Sequence, residues 1–343
     1  MMPCTVIVGG FFGDEGKGKV IAYLARHCSP MVAARGGVGP NAGHTFVLDG
    51  KTYKVRMLPS AALNPSTRLL IGPGVLVNPQ ILLEEVRNFG VGDRVFVDRQ
   101  CGIITKDHIE KDNTDYPKSR LGTTGTGTGP ANSERALRTL RLAREVPELS
   151  QYTEDVSNVI NYALDKNQMV LIEGTQGTFL SLYHGEYPFV TSKDVTSSAI
   201  CSDVGIGPKR VDEVLLVLKS YVTRVGQGPL KNEIDDSEAR KRGWTEYGSV
   251  TGRQRRAAPF DMDLATRSIQ LNSATQLALT KLDVVFPACA GVREYSKLPG
   301  EARIFIENIE QETGLKVILI GTGAELSDVI DRSSSLSLSP NPA

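Results

Sequence analysis

The sequence predicts an α/β protein: one large domain with a mainly parallel central sheet that helices cover on both faces. Apolar runs typical of buried strands alternate with helical patterns, as in residues 5–8 followed by residues 20–26. Glycine-rich loops join several of these strand and helix pairs. No repeat or linker divides the chain, so we expect a single domain over residues 1–332 and a flexible tail over residues 333–343.

The further elements follow from local patterns. The Asp49-Gly50 pair between two alternating runs predicts a hairpin turn, and a proline close to its start favours a helix at residues 79–89. The predicted strands are 31–35, 45–48, 52–57, 69–71, 94–97, 169–173, 213–222, 276–280 and 317–320, and the predicted helices are 79–89, 130–144, 152–165, 260–271 and 301–313.

Composition excludes several classes of protein. Lys plus Arg and Asp plus Glu are equal, at 39 each in 343 residues, which argues against a nucleic-acid partner. No apolar run reaches about 18 residues, so we expect no transmembrane helix and no membrane partner. The five cysteines are scattered and form no C-x-x-C pair. They indicate reduced, mostly buried thiols in a cytoplasm, which is the host's if the chain is viral.

The segment GGFFGDEGKGKV, residues 9–20, joins a predicted strand to a predicted helix. Backbone N–H groups at such a junction bind anions, and Lys17 and Lys19 add positive charge. The segment departs from the P-loop pattern, because Phe11 replaces its first glycine and Gly18 replaces its Ser or Thr. A carboxylate at Asp14 is unfavourable beside phosphates unless it holds a metal or accepts a proton.

Further candidate loops follow along the chain. Residues 36–45 form a second glycine-rich loop with Asn41 and His44 as its polar tips, and residues 122–129 alternate glycine with threonine before a predicted helix. Residues 251–256, TGRQRR, carry three arginines, which suits a dianionic carboxylate substrate. Together these features indicate phosphoryl transfer that involves a second, acidic substrate.

Seven motifs in this order resemble the adenylosuccinate synthetase family over nearly the whole chain. They are GDEGKGK (13–19), NAGHT (41–45), GTTG with GP (122–130), EGTQGT (173–178), YPFVTS (187–192), TGRQRR (251–256) and TKLD (280–283). GGFFGDEGKGK and RGGVGPNAGH are similar to the short, archaeal-type branch, which includes phage enzymes acting on a guanine nucleotide. The resemblance implies the family's fold, which is related to that of P-loop NTPases.

The resemblance also implies a ligase mechanism. The γ-phosphoryl of GTP or ATP moves to the 6-oxygen of a purine monophosphate, and the amine of L-aspartate then displaces that phosphate at C6. Asp14 would accept the N1 proton and bind Mg²⁺ together with the Gly43 carbonyl, His44 would donate toward the transferring phosphoryl, and Lys17 would stabilise its charge.

The resemblance assigns the remaining contacts by position. The purine monophosphate would be held by Asn41, Thr124, Gln176, Thr191 and, from the partner subunit of a homodimer, Arg138. The triphosphate would be held by Gly13, Glu15, Gly16, Lys17, Gly18, Lys281, Asp283, Gly321 and Gly323. L-aspartate would be held by Thr251, Arg253 and Arg255. An aspartate at position 283 suits guanine, which offers two donors.

Three hypotheses about function stand at this point. The first is ligation of L-aspartate to dGMP, which gives a 2-aminoadenine precursor, and the composition and Gln227 favour it, because family members usually carry alanine there. The second is ordinary adenylosuccinate synthesis from IMP with GTP. The third is a nucleotide-binding regulator without catalysis, against which the joint presence of Asp14, Lys17 and His44 argues.

Overall fold

The computed structural model describes residues 3–248, 250 and 252–333. Its strands are β1 Cys4–Gly9, β2 Val32–Arg35, β3 His44–Leu48, β4 Lys51–Val55, β5 Arg68–Ile71, β6 Leu76–Val77, β7 Val95–Asp98, β8 Gly102–Ile103, β9 Thr153–Glu154, β10 Val170–Glu173, β11 Glu213–Lys219, β12 Tyr221–Val225, β13 Arg255–Pro259, β14 Gln276–Thr280, β15 Val317–Gly321 and β16 Val329–Asp331. Its α-helices are α1 Lys17–Cys28, α2 Pro79–Phe89, α3 Lys106–Asp112, α4 Thr128–Leu137, α5 Val156–Asp165, α6 Ser197–Val204, α7 Asp236–Lys241, α8 Met262–Asn272, α9 Leu282–Val285 and α10 Gly300–Thr313.

Within the described residues, ten strands form one sheet in the order β16-β15-β14-β11-β1-β10-β2-β5-β7-β9. Every neighbouring pair is parallel except β15 and β16, which are antiparallel. The predicted mainly parallel sheet is confirmed. Because parallel strands end at one edge, the loops after β1, β2, β10 and β14 converge there.

Alternate residues of the central strands enter two separate apolar cores. On β1, Val6 and Val8 face the core that α5, α6, α8 and α10 complete, whereas Ile7 faces the core that α1 and α2 complete. The two-residue period of a strand places successive side chains on opposite faces. Helices therefore cover both faces of the sheet, as the alternating pattern predicts.

Three predicted elements differ from the structure. The predicted helix 152–165 starts only at Val156, because Thr153–Glu154 form β9 at the edge of the sheet. The predicted strand 213–222 breaks at Ser220, whose N–H and hydroxyl both donate to the Thr280 carbonyl, at 3.0 and 2.9 Å. The chain then leaves the central sheet, and β12 pairs antiparallel with β13. The predicted helix 130–144 ends at Leu137, because Arg138 adopts a left-handed conformation with φ of 66°. No glycine marks that helix end in the sequence.

Three further predictions concern the C-terminal tail, the cysteines and the lack of a transmembrane helix. Residues 334–343, most of the predicted tail, lie outside the described residues. Cys4, Cys101, Cys201 and Cys289 are buried free thiols, and Cys28 is partly exposed, as the sequence predicts. The described residues include no helix that is both long and apolar enough to cross a membrane.

Candidate active site

The glycine-rich loops and the arginine strand border one cleft of about 620 Å³ at the carboxyl edge of the sheet. Of the residues that the sequence singles out, the cleft is lined by Gly13, Asp14, Gly16, Lys17, Gly18, Asn41, Gly43, His44, Thr124, Gln176, Thr191, Arg253, Arg255, Lys281, Gly321 and Gly323. Residues from β1 to β15 thus meet in one place, although they are more than 300 positions apart in the chain.

The loop between β1 and α1 is held from below by Glu15. This buried carboxylate accepts the N–H groups of Phe11 and Gly13 at 3.0 and 2.8 Å and pairs with Lys17 at 2.8 Å. Lys17 also donates to the Gln176 carbonyl, which ties the loop to the segment after β10. The Glu15 side chain therefore serves the loop itself and does not line the cleft, so its predicted contact to a triphosphate stays a prediction.

Asp14 lies at the rim of the same loop in a left-handed conformation, with φ of 61°. Such a backbone is uncommon for a residue with a side chain, and it is typical of functional turns. The Asp14 carboxylate, about 25% exposed, forms an ion pair with Arg255 Nε at 2.9 Å. The arginine strand β13 therefore reaches the phosphate loop directly, which the sequence alone does not indicate.

His44 is buried at the start of β3, and its Nδ1 bonds the carboxylate of Glu173 at the end of β10. Burial lowers the pKa of His44. Burial would raise the pKa of Glu173, but His44 and the fully buried Arg35 outweigh it, so that pKa lies below its usual value. The carboxylate thus stays ionised and accepts a hydrogen bond from the Nδ1–H group of His44. Nε2 is therefore the ring nitrogen that is left to act on a substrate.

Gly18, which replaces the P-loop Ser or Thr, allows the helix to approach His44. A Cβ at position 18 would lie 2.7 Å from the Cβ of His44, a distance that side chains do not adopt. A glycine here therefore lets α1 pack directly against the first residue of β3. The departure from the P-loop pattern has a steric reason in the fold.

Two buried side-chain oxygens in the cleft have no hydrogen-bond partner among the described residues. They are Asn41 Oδ1 and Gln176 Oε1. The Asn41 amide donates to Thr191 Oγ1 at 3.3 Å, and Thr124 shares a 2.9 Å hydrogen bond with Thr126. Buried polar atoms are nearly always paired, so oxygens left over in a cleft are what a polar ligand with N–H or O–H donors needs.

The opposite end of the cleft is formed by the loops after β14 and β15. Lys19 donates to the carbonyls of Gly323 and Asp328 at 2.7 and 2.8 Å, which fixes the loop after β15 against α1. Lys281 lines the cleft with φ of 61°. Asp283 lies behind it: its Oδ1 is buried without a partner among the described residues, and burial raises its pKa.

The structure does not bring every predicted residue into the cleft. Arg138 is exposed just after α4 and does not line the cleft of its own chain, so its predicted role in a partner subunit's site stays a prediction. Thr251 lies outside the described residues. Arg253 lines the cleft and donates to the Gly122 carbonyl at 2.7 Å, which joins the arginine segment to the threonine-rich loop.

The predicted magnesium ligands fit the chemistry of that ion. Mg²⁺ in phosphoryl-transfer sites takes one or two protein oxygens and completes its shell with water and substrate phosphates. Asp14 and Gly43 both line the cleft, and each supplies oxygen. The described residues contain no group of three or more His, Cys, Asp or Glu side chains able to hold a metal without a substrate.

Sequence reasoning missed two carboxylates that support the cleft, the buried Glu173 and the partly buried Glu246. Glu173 lies in a motif that the sequence singled out, and its position at the end of β10 was the signal that it faces a site. Glu246, which contacts Lys219, Tyr221 and Arg255, lies in no recognisable motif, and no local signal marks it.

Comparisons with known proteins agree with this geometry. The family profile described as adenylosuccinate synthetase matches residues 6–146 and 140–288. Adenylosuccinate synthetase of Methanococcus aeolicus is 52% identical over 334 residues, covering 96% of this chain and 99% of the relative. The Pyrococcus horikoshii enzyme is 50% identical over 339 residues, covering 98% and 100%.

Two solved structures share the fold. Fully ligated adenylosuccinate synthetase from Plasmodium falciparum has a TM-score of 0.88 at 25% identity, covering 96% of this chain and 99% of that one. Succinoaminodeoxyadenylate synthetase (PurZ) of cyanophage S-2L, bound to dGMP and dATP, has a TM-score of 0.81 at 26% identity, covering 96% and 95%. The chain belongs to the adenylosuccinate synthetase family, whose members are C–N bond-forming ligases that use Mg²⁺ with GTP.

Proposed function

We propose that this protein ligates L-aspartate to C6 of IMP and converts GTP to GDP and phosphate in the same cycle. The observation that carries the proposal is the meeting, in one cleft, of Asp14, the Glu173-held His44 and Arg255. A base, a donor to a phosphoryl group and a carboxylate-binding cation are the groups that this reaction requires. A nucleotide-binding regulator needs neither the base nor the arginine.

Asp14 accepts the N1 proton of the purine as the 6-oxygen attacks the γ-phosphorus, and the bond from that phosphorus to the β-phosphate oxygen breaks so that GDP leaves. Lys17, at the floor of the loop, stabilises the negative charge on the transferred phosphoryl. His44 donates from Nε2 once it carries a second proton, which the negative charge of the triphosphate favours. Asp14 and the Gly43 carbonyl would hold Mg²⁺, which supplies charge neutralisation at the phosphates.

The second half of the reaction forms the C–N bond. The free amine of L-aspartate attacks C6, the bond from C6 to the phosphorylated oxygen breaks, and inorganic phosphate leaves. Arg253 and Arg255 would bind the substrate carboxylates. The purine monophosphate would be held by Asn41, Gln176 and Thr191. The unpartnered oxygens of Asn41 and Gln176 would accept hydrogen bonds from its N–H and O–H groups.

The proposal also covers the phosphoryl donor, GTP, and the assembly of the protein as a homodimer. Asp283, with its unpartnered Oδ1, and Lys281 would contact the base of GTP, whose N1–H and 2-amino donors an aspartate can accept. Arg138, exposed after α4, would reach the 5′-phosphate in the partner subunit of a homodimer.

A second candidate substrate is dGMP. Relatives of about 50% identity carry the name adenylosuccinate synthetase, which supports IMP as the substrate of this chain, whereas PurZ, bound to dGMP, is 26% identical. One observation favours dGMP: Gln227 lines the cleft beside the threonine-rich loop, with its Nε2 3.4 Å from the Ser119 carbonyl. A long amide at this position changes the space and hydrogen bonding available to a substrate.

The test is phosphate release with L-aspartate and Mg²⁺, comparing IMP with dGMP and GTP with ATP. We expect turnover on IMP with GTP, and Gln227→Ala is the matched variant. If the unmodified enzyme turned over dGMP and Gln227→Ala shifted that preference toward IMP, dGMP would replace IMP as the proposed substrate. Absence of aspartate-dependent phosphate release with every pair would contradict the ligase proposal and favour the regulator.

A further inference from the structure

Glu246 is a partly buried carboxylate at the centre of a cluster of cations beside the cleft. It lies between α7 and β13, and its side chain is 12% exposed. Its Oε2 contacts Lys219 Nζ at 3.0 Å and the guanidinium of Arg255. Its Oε1 accepts the hydroxyl of Tyr221 and lies 3.7 Å from Lys281 Nζ.

This carboxylate is ionised in the folded protein. Burial would raise the pKa of Glu246, but Lys219, Lys281 and Arg255 outweigh it and hold that pKa well below its usual range. Lys219 is fully buried, and its ring contact with Tyr221 at 4.6 Å adds to the enclosure of the cluster. A charge pair so enclosed is costly to break on one side only.

Arg255 is shared between two carboxylates with different surroundings. Its Nε lies 2.9 Å from the Asp14 carboxylate and makes an ion pair without a hydrogen bond, whereas its terminal Nη1 donates a hydrogen bond to Glu246. Asp14 is 25% exposed and lines the cleft, where it has other partners during catalysis. Glu246 does not line the cleft. Glu246 is therefore the partner that stays with Arg255 when Asp14 turns to the purine.

We propose that Glu246 is a positioning residue for the aspartate substrate: it holds Arg255 at the cleft wall and limits how far Arg255 neutralises Asp14. The proposal rests on the ligase function above. Without the Glu246 charge, Arg255 pairs more closely with Asp14 and is displaced from the site of the substrate carboxylate. Lys281 lies 3.7 Å from the same carboxylate. It links this cluster more weakly to the end of the cleft where the base of GTP would bind.

The neighbouring residue on β13 supplies a matched control. Arg256 points to the other side of the strand and pairs with Glu233, away from the cleft lining. The two arginines thus share a strand and each has a glutamate partner, but only Arg255 borders the cleft. Glu233→Gln removes an equivalent charge without touching the proposed position.

The experiment compares Glu246→Gln with Glu233→Gln and the unmodified enzyme. We expect Glu246→Gln to raise KM for L-aspartate about tenfold or more, since it removes a charge-assisted contact to Arg255. KM for the monophosphate should change by less than about twofold, because neither Glu246 nor Arg255 is among the residues assigned to hold the monophosphate. Calorimetric titration of L-aspartate into enzyme with bound IMP should show the same loss of affinity without turnover.

A double variant separates positioning from folding. Glu246→Gln leaves Lys219 with a buried, uncompensated charge, so the single variant can lose stability. Glu246→Gln with Lys219→Met removes both charges, and its thermal unfolding should recover toward that of the unmodified enzyme. We expect the raised KM for L-aspartate to persist in the double variant, because Arg255 still lacks its partner.

Three results would overturn the inference. These are an unchanged KM for L-aspartate in both Glu246 variants, an equal rise in KM for all three substrates, or an equal effect of Glu233→Gln. Aspartate-dependent turnover by the unmodified enzyme is measured first. If that turnover is absent, the proposed function fails together with this inference; if it is present and the variants match it, only the inference fails.

Discussion

Two carboxylates, the buried Glu173 and the partly buried Glu246, support two walls of the cleft, and they do so in different ways. Glu173 ends a central parallel strand and holds His44, whereas Glu246 lies in a loop outside the central sheet and holds Arg255. Glu173 also accepts the Ser60 N–H at 2.6 Å and the Ser60 hydroxyl at 2.9 Å. The hydrogen bonds and ion pairs of Glu246 described above are to side chains.

The difference indicates which half of the reaction each carboxylate serves. A carboxylate held partly by a backbone N–H group keeps His44 in one orientation, as a proton donor to a phosphoryl group requires. A carboxylate that contacts the three cations Lys219, Lys281 and Arg255 holds Arg255 through charge, without a backbone contact that fixes the geometry. We infer that the Glu173 wall serves phosphoryl transfer and the Glu246 wall serves aspartate binding.

The largest effect is expected at Asp14, which belongs to both halves of the reaction. Asp14→Ala should lower kcat by about 10³ or more, because it removes the base for N1 and a predicted ligand of Mg²⁺. Phosphate release measures the loss, and thermal unfolding checks that the fold is kept. A variant with near-normal turnover would show that the base lies elsewhere.

Glu173→Gln tests the first wall. It should lower kcat by about 10², since His44 loses the acceptor that orients its ring, while KM for L-aspartate changes little. The opposite split is expected for Glu246→Gln, so steady-state kinetics of both variants distinguish the walls. Ser60→Ala removes one hydrogen bond to Glu173 and serves as the milder control. If both glutamate variants changed the same constant, the division of roles would be wrong.

Arg138→Leu tests whether one chain forms the complete site or whether Arg138 of a partner subunit also contributes to it. Because Arg138 lies outside the cleft of its own chain, we expect KM for the monophosphate to rise about tenfold through the loss of a phosphate contact in the partner subunit. Arg141→Leu is the control on the same exposed segment. A monomer that is fully active at working concentration, seen by sedimentation, would contradict the role in trans.

The smallest effect is expected from Lys19, which joins the two ends of the cleft. Burial lowers its pKa to about 8, against the opposing effect of Asp328. As pH rises through that value the ammonium loses its charge, so kcat/KM for GTP should fall, and in Lys19→Met this step should be missing. If kcat/KM for GTP fell equally with pH in Lys19→Met, the pH dependence would belong to a group other than Lys19.

The sequence by itself determined the elements that depend on neighbouring residues. The alternation of strands and helices, the hairpin at Asp49-Gly50 and the glycine-rich loops after β1 and β2 are local patterns, and the structure has each of them. Because parallel strands end at one edge, those loops also had to meet. The predicted location of Asp14, His44 and Arg255 in one site followed from these patterns and from the family resemblance.

Only the tertiary structure decided the features that depend on distant residues. Glu246 meets Lys219 from 27 positions away, the break at Ser220 follows from the Thr280 carbonyl, and Arg138 ends α4 without a glycine. Gly18 is required because α1 packs on His44. Each depends on atoms that the fold brings together, and charge pairing and close packing act on distance in space, which no local pattern along the chain records.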